Sequence, residues 1–339
     1  MSEAVEPIHV LVAMDFSDAI MERIREVSPR LKVERHYPNV PERAYAEAEI
    51  LYSLRHFPSP VQSPRLRWIQ LHTAGVDHAA KEPIIAAEDV EVTTTSGIHA
   101  IVMSEYCLMM ITAFNYQLLT MQALQRRAEW TPDRHKIFAP RELRGQTLGI
   151  VGYGAIGREL ARIADAMGMK VLAIKRDVKH PAEIDRWREA GTGDPEGEIP
   201  TRLYPPEAIA SMAALCDYLV IAAPITDSSR HLIDEHVLKG MKKTAVLINV
   251  ARGSLVDEAA LISALAAERL GGAALDVFEE EPLPSTSPLW NLDNVIISPH
   301  VAGHSGRYHE KAAQVFIDNL TRYLAKEPLL NRFERTRGY

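Results

Sequence analysis

Two side chains in the second half of the chain could work together on a carbonyl group. They are Arg252, in LINVARGSLVDE, and His300, in SPHVAG. An arginine fork binds a carboxylate through paired hydrogen bonds and polarises an adjacent carbonyl. A histidine gives or takes a proton near neutral pH, and a nearby carboxylate orients its ring. Taken singly, each residue is ordinary. An arginine after a strand is usually a surface ion pair, and the chain has 13 histidines. A third feature changes the weight of the pair. GIVGYGAIGREL places Gly152, Gly154 and Gly157 in the spacing G-x-G-x-x-G. The run follows an apolar strand and opens a helix, the context in which this spacing binds a dinucleotide. The first glycine permits a tight turn, the second admits a pyrophosphate, and the third lets helix and strand pack closely. Amides at the helix start then face the anion. A dinucleotide, a carbonyl polariser and a proton source are what hydride transfer to a carbonyl group requires.

The elements that must position these residues are short apolar runs separated by helical patterns. Strands are expected at Ile8–Ala13, Leu31–Arg35, Ile50–Ser53, Trp68–His72 and Val90–Thr94. A second series is expected at Thr147–Val151, Lys170–Ile174, Tyr218–Ala222, Ala245–Val250, Gly272–Asp276 and Val295–Ser298. Alternating strand and helix predicts an α/β protein with parallel sheets covered on both faces. In such sheets ligands bind beyond the carboxyl ends of the strands. The tips of the second series carry Ala223, Pro224 and Thr226, then Ala251, Arg252 and Gly253, then Asp276, and then His300 and Gly303. One arginine, several carboxylates and one histidine therefore share the edge that carries the glycine loop.

The run Ile101–Arg127 is apolar over most of its circumference and is expected as a long, largely buried interdomain helix. The boundaries follow from it. Residues 1–100 and 304–339 form a discontinuous substrate domain, closed by a returning helix at Tyr308–Ala325. Residues 101–303 form a Rossmann dinucleotide-binding domain. Gly191–Pro206 is rich in glycine and proline and is expected as an exposed loop.

The bulk numbers exclude several classes. With 339 residues the chain is long enough for two domains. A net charge of -7 and no long basic run disfavour nucleic acid and anionic membranes as partners. The start MSEAVEPIHVLVAM lacks a basic region ahead of its apolar stretch and does not read as a signal peptide. Cys107 and Cys216 sit in apolar surroundings, as core residues of a reducing compartment, so the cytoplasm is expected. No metal is expected, since His304 and His309 lack ligand spacing.

The choice of dinucleotide turns on KVLAIKRDV. An NAD site usually has an acidic residue at this second strand tip, gripping the ribose 2′-hydroxyl. Here Lys175 and Arg176 stand there, and a pair of cations suits a 2′-phosphate. NADP is favoured over NAD, although Asp177, slightly late, could still reach a ribose.

These motifs together resemble the D-isomer-specific 2-hydroxyacid dehydrogenases, the family that includes glyoxylate/hydroxypyruvate reductases. The likeness covers nearly the whole chain: LRWIQLHTAGVD, the glycine fingerprint, PITDSSRHLI, INVARGSLVDEAAL, GAALDVFEEEPLP and SPHVAG. It implies two doubly wound parallel-sheet domains, a flavodoxin-like substrate domain beside the Rossmann domain, and a homodimer. It also implies that Arg252 binds substrate carboxylate and carbonyl, that Glu281 orients the histidine, and that His300 is the acid–base. The amides of Ala74, Gly75 and Val76 would bind the carboxylate. Asp276 would lie toward the nicotinamide, and Ala155, Ile156, Val250 and Ala251 would line the cofactor. The chain departs from the pattern at Lys175–Arg176, and LYSLR lacks the Arg-Ser pair of phosphoglycerate dehydrogenases, which argues against a phosphorylated substrate. Two other readings share the fold. A formate dehydrogenase typically pairs its histidine with an amide, against which Glu281 speaks. A dinucleotide-sensing corepressor or scaffold would keep the same three residues.

Overall fold

The computed structural model describes residues 6–336. The chain divides into two compact units. One runs to Ile98, resumes over Ile184–Glu189 and again from Ser305; the other comprises His99–Glu183 and Ala190–His304.

The first unit is built on strands β1 (Ile8–Ala13), β2 (Leu31–Arg35), β3 (Ile50–Ser53), β4 (Trp68–Leu71) and β5 (Glu91–Thr93). They form one sheet in the order β2-β1-β3-β4-β5, and every pairing is parallel. This is the doubly wound order of flavodoxin-like sheets. Strands β3 and β4 are buried along their whole length, which is why they read as unbroken apolar runs rather than alternating ones. Helices α1 (Asp18–Arg25), α2 (Glu42–Glu47) and α3 (Pro83–Ala86) connect them. The Ser17 side chain caps α1 by accepting from the Ile20 amide, and Ile20, Met21 and Ile24 turn inward. The last helix, Tyr308–Ala325, covers one face: Phe316 packs edge-on against Tyr52 and beside Trp68, with Ala313 and Leu320 in the same cluster. The short return at Ile184–Glu189 is fixed by Trp187, whose ring nitrogen donates to Asp318 and whose amide donates to Asn331.

The second unit holds helices α4 (Ala100–Asn115), α5 (Leu118–Arg126) and α6 (Arg134–Ile137), then β6 (Thr147–Val151), α7 (Ala155–Ala166), β7 (Lys170–Ile174), β8 (Arg202–Tyr204), α8 (Ile209–Ala213), β9 (Tyr218–Ile221), α9 (Glu235–Gly240), β10 (Val246–Asn249), α10 (Glu258–Ala266), β11 (Gly272–Leu275) and β12 (Val295–Ile297). The helix of the first unit that follows is α11 (Tyr308–Ala325). Seven parallel strands run β12-β11-β10-β9-β6-β7-β8. The order reverses between β6 and β9, the switch point where such sheets open a crevice. On one face, Cys107, Met110 and Ile111 of α4 meet Leu160, Ala161 and Ala164 of α7. Cys107 and Cys216 are free and buried, and burial raises both thiols, Cys216 to about 12.

Two expectations need correction. The helix expected over Ile101–Arg127 is two helices. The break falls at Tyr116 and Gln117, with Gln117 left-handed at φ 56°. Its second half is not buried in this chain: among α5 residues only Leu124 is, while Leu118 and Met121 are exposed. The loop expected at Gly191–Pro206 contains the edge strand β8. It is also partly interior, because Asp194 is 7% exposed and accepts from the Tyr153 hydroxyl and the amides of Glu198 and Ile199. A three-residue strand between prolines is too short to show a period.

Candidate active site

The glycine loop connects β6 to α7 at the switch point. Gly152 has φ +101°, and a Cβ there would lie 2.7 Å from Ala223 Cα and 2.8 Å from the Ala222 carbonyl carbon. Glycine is therefore required twice over at this position, by dihedral and by close approach. A Cβ on Gly157 would come 2.9 Å from Ile150 Cγ2, so helix and strand touch there. Gly154 differs, since a Cβ there would meet nothing within 4 Å. Open space in front of Gly154, at the start of a 12-residue helix, suits a pyrophosphate on the amides of Ala155 and Ile156. Ala223, Pro224 and Thr226 follow β9 on the same edge, with the Thr226 amide held by Ser229 Oγ at 2.8 Å. The residues present thus fit a dinucleotide.

Lys175 and Arg176 stand just past β7. Lys175 Nζ donates to the carbonyls of His180 (2.6 Å) and Asp177 (3.1 Å). Burial holds its ammonium below the usual lysine range, and Arg158 adds repulsion. The Asp177 carboxylate is turned into its own loop, where it takes His180 Nδ1 at 2.7 Å and the amides of Lys179 and His180. The Asp177 carboxylate is therefore engaged locally, and Glu183 also acts on the Lys175 ammonium.

The next tip carries Arg252. Buried Asn249 shapes the turn: its Oδ1 accepts from the Ala251 amide and its Nδ2 donates to the Arg252 carbonyl. Arg252 leaves in extended conformation and donates to the Ala251 carbonyl. Val250 and Ala251 are buried beneath it. Gly253 then lies flat against the backbone of Phe278 and Glu279, so closely that a Cβ would overlap Phe278. That contact fixes the Arg252 turn against the stretch that carries Glu281.

His300 follows β12, in left-handed conformation at φ 55°. Its Nδ1 meets Glu281 Oε2 at 2.7 Å, and Glu281 Oε1 accepts from the Phe278 amide at 3.0 Å. With Nδ1 turned to Glu281, Nε2 is the ring atom left for a substrate. Asp276, 1% exposed, gathers the loop beneath. Its Oδ1 accepts from Ser298 Oγ and the Val301 amide and its Oδ2 from the Ala302 amide, while its carbonyl accepts from the His300 amide. Tyr106 of α4 extends the network to Ser298 Oγ at 2.6 Å, and burial pushes its hydroxyl up to about 12. Gly303 closes the loop, its carbonyl 3.1 Å from His99 Nδ1. Sequence reasoning placed Gly253 at its strand tip without its packing role, and missed Asn249, Ser298 and Tyr106 as parts of this framework. It also missed a second pair, His231 Nε2 to Glu279 Oε1 at 2.6 Å.

In the first unit, the chain leaves β4 through His72 into Thr73–Val76. The amides of Ala74, Gly75 and Val76 donate to no group among the described residues. Amides without an internal acceptor are available to a bound anion. Among the described residues there is no His/Cys/Asp/Glu group able to hold a metal, and no helix long and apolar enough to cross a membrane.

A doubly wound sheet with an open glycine fingerprint at its switch point defines a dinucleotide-binding protein. The chain belongs to the D-isomer specific 2-hydroxyacid dehydrogenase family. Its residues 108–302 match the NAD-binding domain of that family. It is 33% identical over 266 residues to a glyoxylate reductase of Thermofilum pendens, covering 78% of this chain and 74% of the relative. It is 34% identical over 236 residues to an (S)-sulfolactate dehydrogenase of Chromohalobacter salexigens, covering 70% and 71%. It is also similar to the NADPH-dependent glyoxylate/hydroxypyruvate reductase of Sinorhizobium meliloti, solved with NADP and sulfate. There the TM-score is 0.77 and the identity 26%, over 98% of this chain and all of that one.

Proposed function

We propose that the protein reduces a small 2-keto acid to the D-2-hydroxy acid with NADPH, reversibly. The observation that carries the proposal is the His300–Glu281 contact of 2.7 Å on the sheet edge that also holds Arg252 and the glycine loop. The reduced nicotinamide, when bound, supplies the hydride. Arg252 binds the carboxylate and draws charge onto the carbonyl oxygen. His300, its Nδ1 held by Glu281, gives the Nε2 proton to the forming alkoxide. The amides of Ala74, Gly75 and Val76 bind the substrate carboxylate. Asp276 serves the cofactor side by holding the loop that carries His300, and Val250 and Ala251 form its floor.

NADP is preferred because Lys175 and Arg176 stand at the β7 tip, where they would meet a 2′-phosphate, while Asp177 is committed to His180. The NADP-bound relative supports this reading. Glyoxylate and hydroxypyruvate are the first substrates to test, on the names of the relatives. A homodimer accounts for the exposed apolar residues of α4 and α5. Met109, Leu118 and Met121 are 51%, 41% and 40% exposed.

The test is loss of reduced-cofactor absorbance with NADPH and NADH side by side, across a panel of 2-keto acids. Faster oxidation of NADPH is expected. His300→Ala should lose about 10²- to 10⁴-fold in turnover with NADPH affinity kept. Retained turnover in that variant would remove His300 from the mechanism. If both cofactors bind and neither is consumed, a dinucleotide-sensing role replaces the enzymatic one.

A further inference from the structure

We propose that Thr73 and Thr95 are positioning residues that lock two peptide planes of the substrate-carboxylate loop, so that its amides stay presented to an anion. This rests on the reading of Ala74–Val76 as the carboxylate site. A trans peptide is planar, with the carbonyl of one residue and the amide of the next pointing oppositely. Fixing a carbonyl therefore fixes the amide that follows it. Thr73 Oγ1 donates to the Gly75 carbonyl at 2.7 Å, which sets the direction of the Val76 amide. The Thr95 amide donates to the Thr73 carbonyl at 3.0 Å, which sets the Ala74 amide.

The base of the loop is held as firmly. Thr95 Oγ1 and the Tyr308 hydroxyl both donate to the His72 carbonyl, each at 3.0 Å. The His72 amide donates to the Ser53 carbonyl at 2.9 Å, and its Nδ1 lies 2.6 Å from the Tyr52 hydroxyl. Tyr52 and Thr95 are fully buried and His72 nearly so. The carbonyls of residues 72, 73 and 75 are thus all occupied by donors, and the amides of residues 74 to 76 are not. In an unconstrained loop a peptide can rotate and turn a carbonyl oxygen toward the anion, which would repel it. The Thr73 hydroxyl and the Thr95 amide oppose that rotation without touching substrate.

Three variants test the lock, each measured for KM and kcat with the best 2-keto acid of the panel and for NADPH affinity. Thr73→Val keeps the shape and removes the hydroxyl. Its KM should rise roughly five- to tenfold, the worth of about one hydrogen bond, with kcat and NADPH affinity little changed. Thr73→Ser restores the hydroxyl and should return KM toward the parent value. Gly75→Pro deletes one of the three amides outright and should raise KM as well. A parental KM in Thr73→Val, or no recovery in Thr73→Ser, overturns the lock. If Gly75→Pro raises KM while Thr73→Val does not, the amides bind and the lock is wrong. If neither raises it, the loop is not the carboxylate site and both readings fall.

Discussion

Gly253→Ala isolates the contact that joins the arginine turn to the glutamate stretch. An added Cβ would sit at about half the normal carbon–carbon separation of about 3.5–4.0 Å from the Phe278 carbonyl carbon. Both partners are backbone, so neither can swing aside as a side chain would. The two segments must part by more than about 1 Å. Overpacking of this kind costs about 1–3 kcal/mol. For a unit of about 200 residues that corresponds to a melting midpoint lower by about 2–4 °C per kcal/mol. The larger effect should be kinetic. Arg252 lies one residue before the clash and Glu281 three residues beyond Phe278, so any adjustment moves Arg252 relative to the proposed His300–Glu281 acid–base pair. A misplacement of about 1 Å in reacting groups costs about 100-fold in rate. The expected result is a soluble protein with NADPH affinity near the parent value and kcat/KM lower by about two orders of magnitude. Thermal denaturation, cofactor fluorescence titration and steady-state kinetics on one preparation provide the check. Parental kcat/KM in Gly253→Ala would refute the claim that this backbone contact sets the geometry.

Three further outcomes are expected. Replacing both Lys175 and Arg176 by alanine should weaken NADPH by about 1.5–3 kcal/mol for each charged hydrogen bond lost and leave NADH nearly unaffected; equal losses for both cofactors, in paired titrations, would exclude a 2′-phosphate role. Leu118→Glu with Met121→Glu should convert a dimer to monomer by light scattering; a parent that is already monomeric disproves the assignment. Asp217 should contribute to acid stability. Burial alone would raise its carboxyl, but the Thr147 amide, Lys242 and Arg141 outweigh that and leave it below the ordinary value of 3.8. A carboxyl lowered in the native state stabilises fully above its unfolded value, and that contribution is lost as pH falls from about 4 toward the native value. Asp217→Asn should therefore melt lower at neutral pH and lose less further stability between about pH 5 and 3; identical acid profiles would contradict this.

What could be seen in the sequence was what depends on neighbours along the chain. Most strands showed because they are short buried runs, although β2 and β12 are only partly covered, and the glycine fingerprint showed because its spacing follows from one turn. Tip residues such as Arg252 and His300 followed from the rule that parallel strands end on one edge. Strand β8 escaped because three residues, Arg202–Tyr204, carry no period. The break at Gln117 escaped because a left-handed residue there is neither glycine nor asparagine. Partnerships across the fold were invisible for a different reason. Asp276 with the Val301 and Ala302 amides, or Gly253 with Phe278, depend on strand register and loop path, which pattern alone does not specify.

The interrupted first unit has a consequence for synthesis. Its sheet is complete in sequence by β5, yet Phe316 and Leu320, which cover Tyr52 and Trp68, are translated roughly 200 residues later. At about 5–20 residues per second the ribosome takes roughly 10–40 s to reach them. Through that interval two large aromatic side chains of the nascent sheet lack their cover while the whole second unit emerges and folds. The last helix is therefore the element that completes the apolar face of the part that was made first.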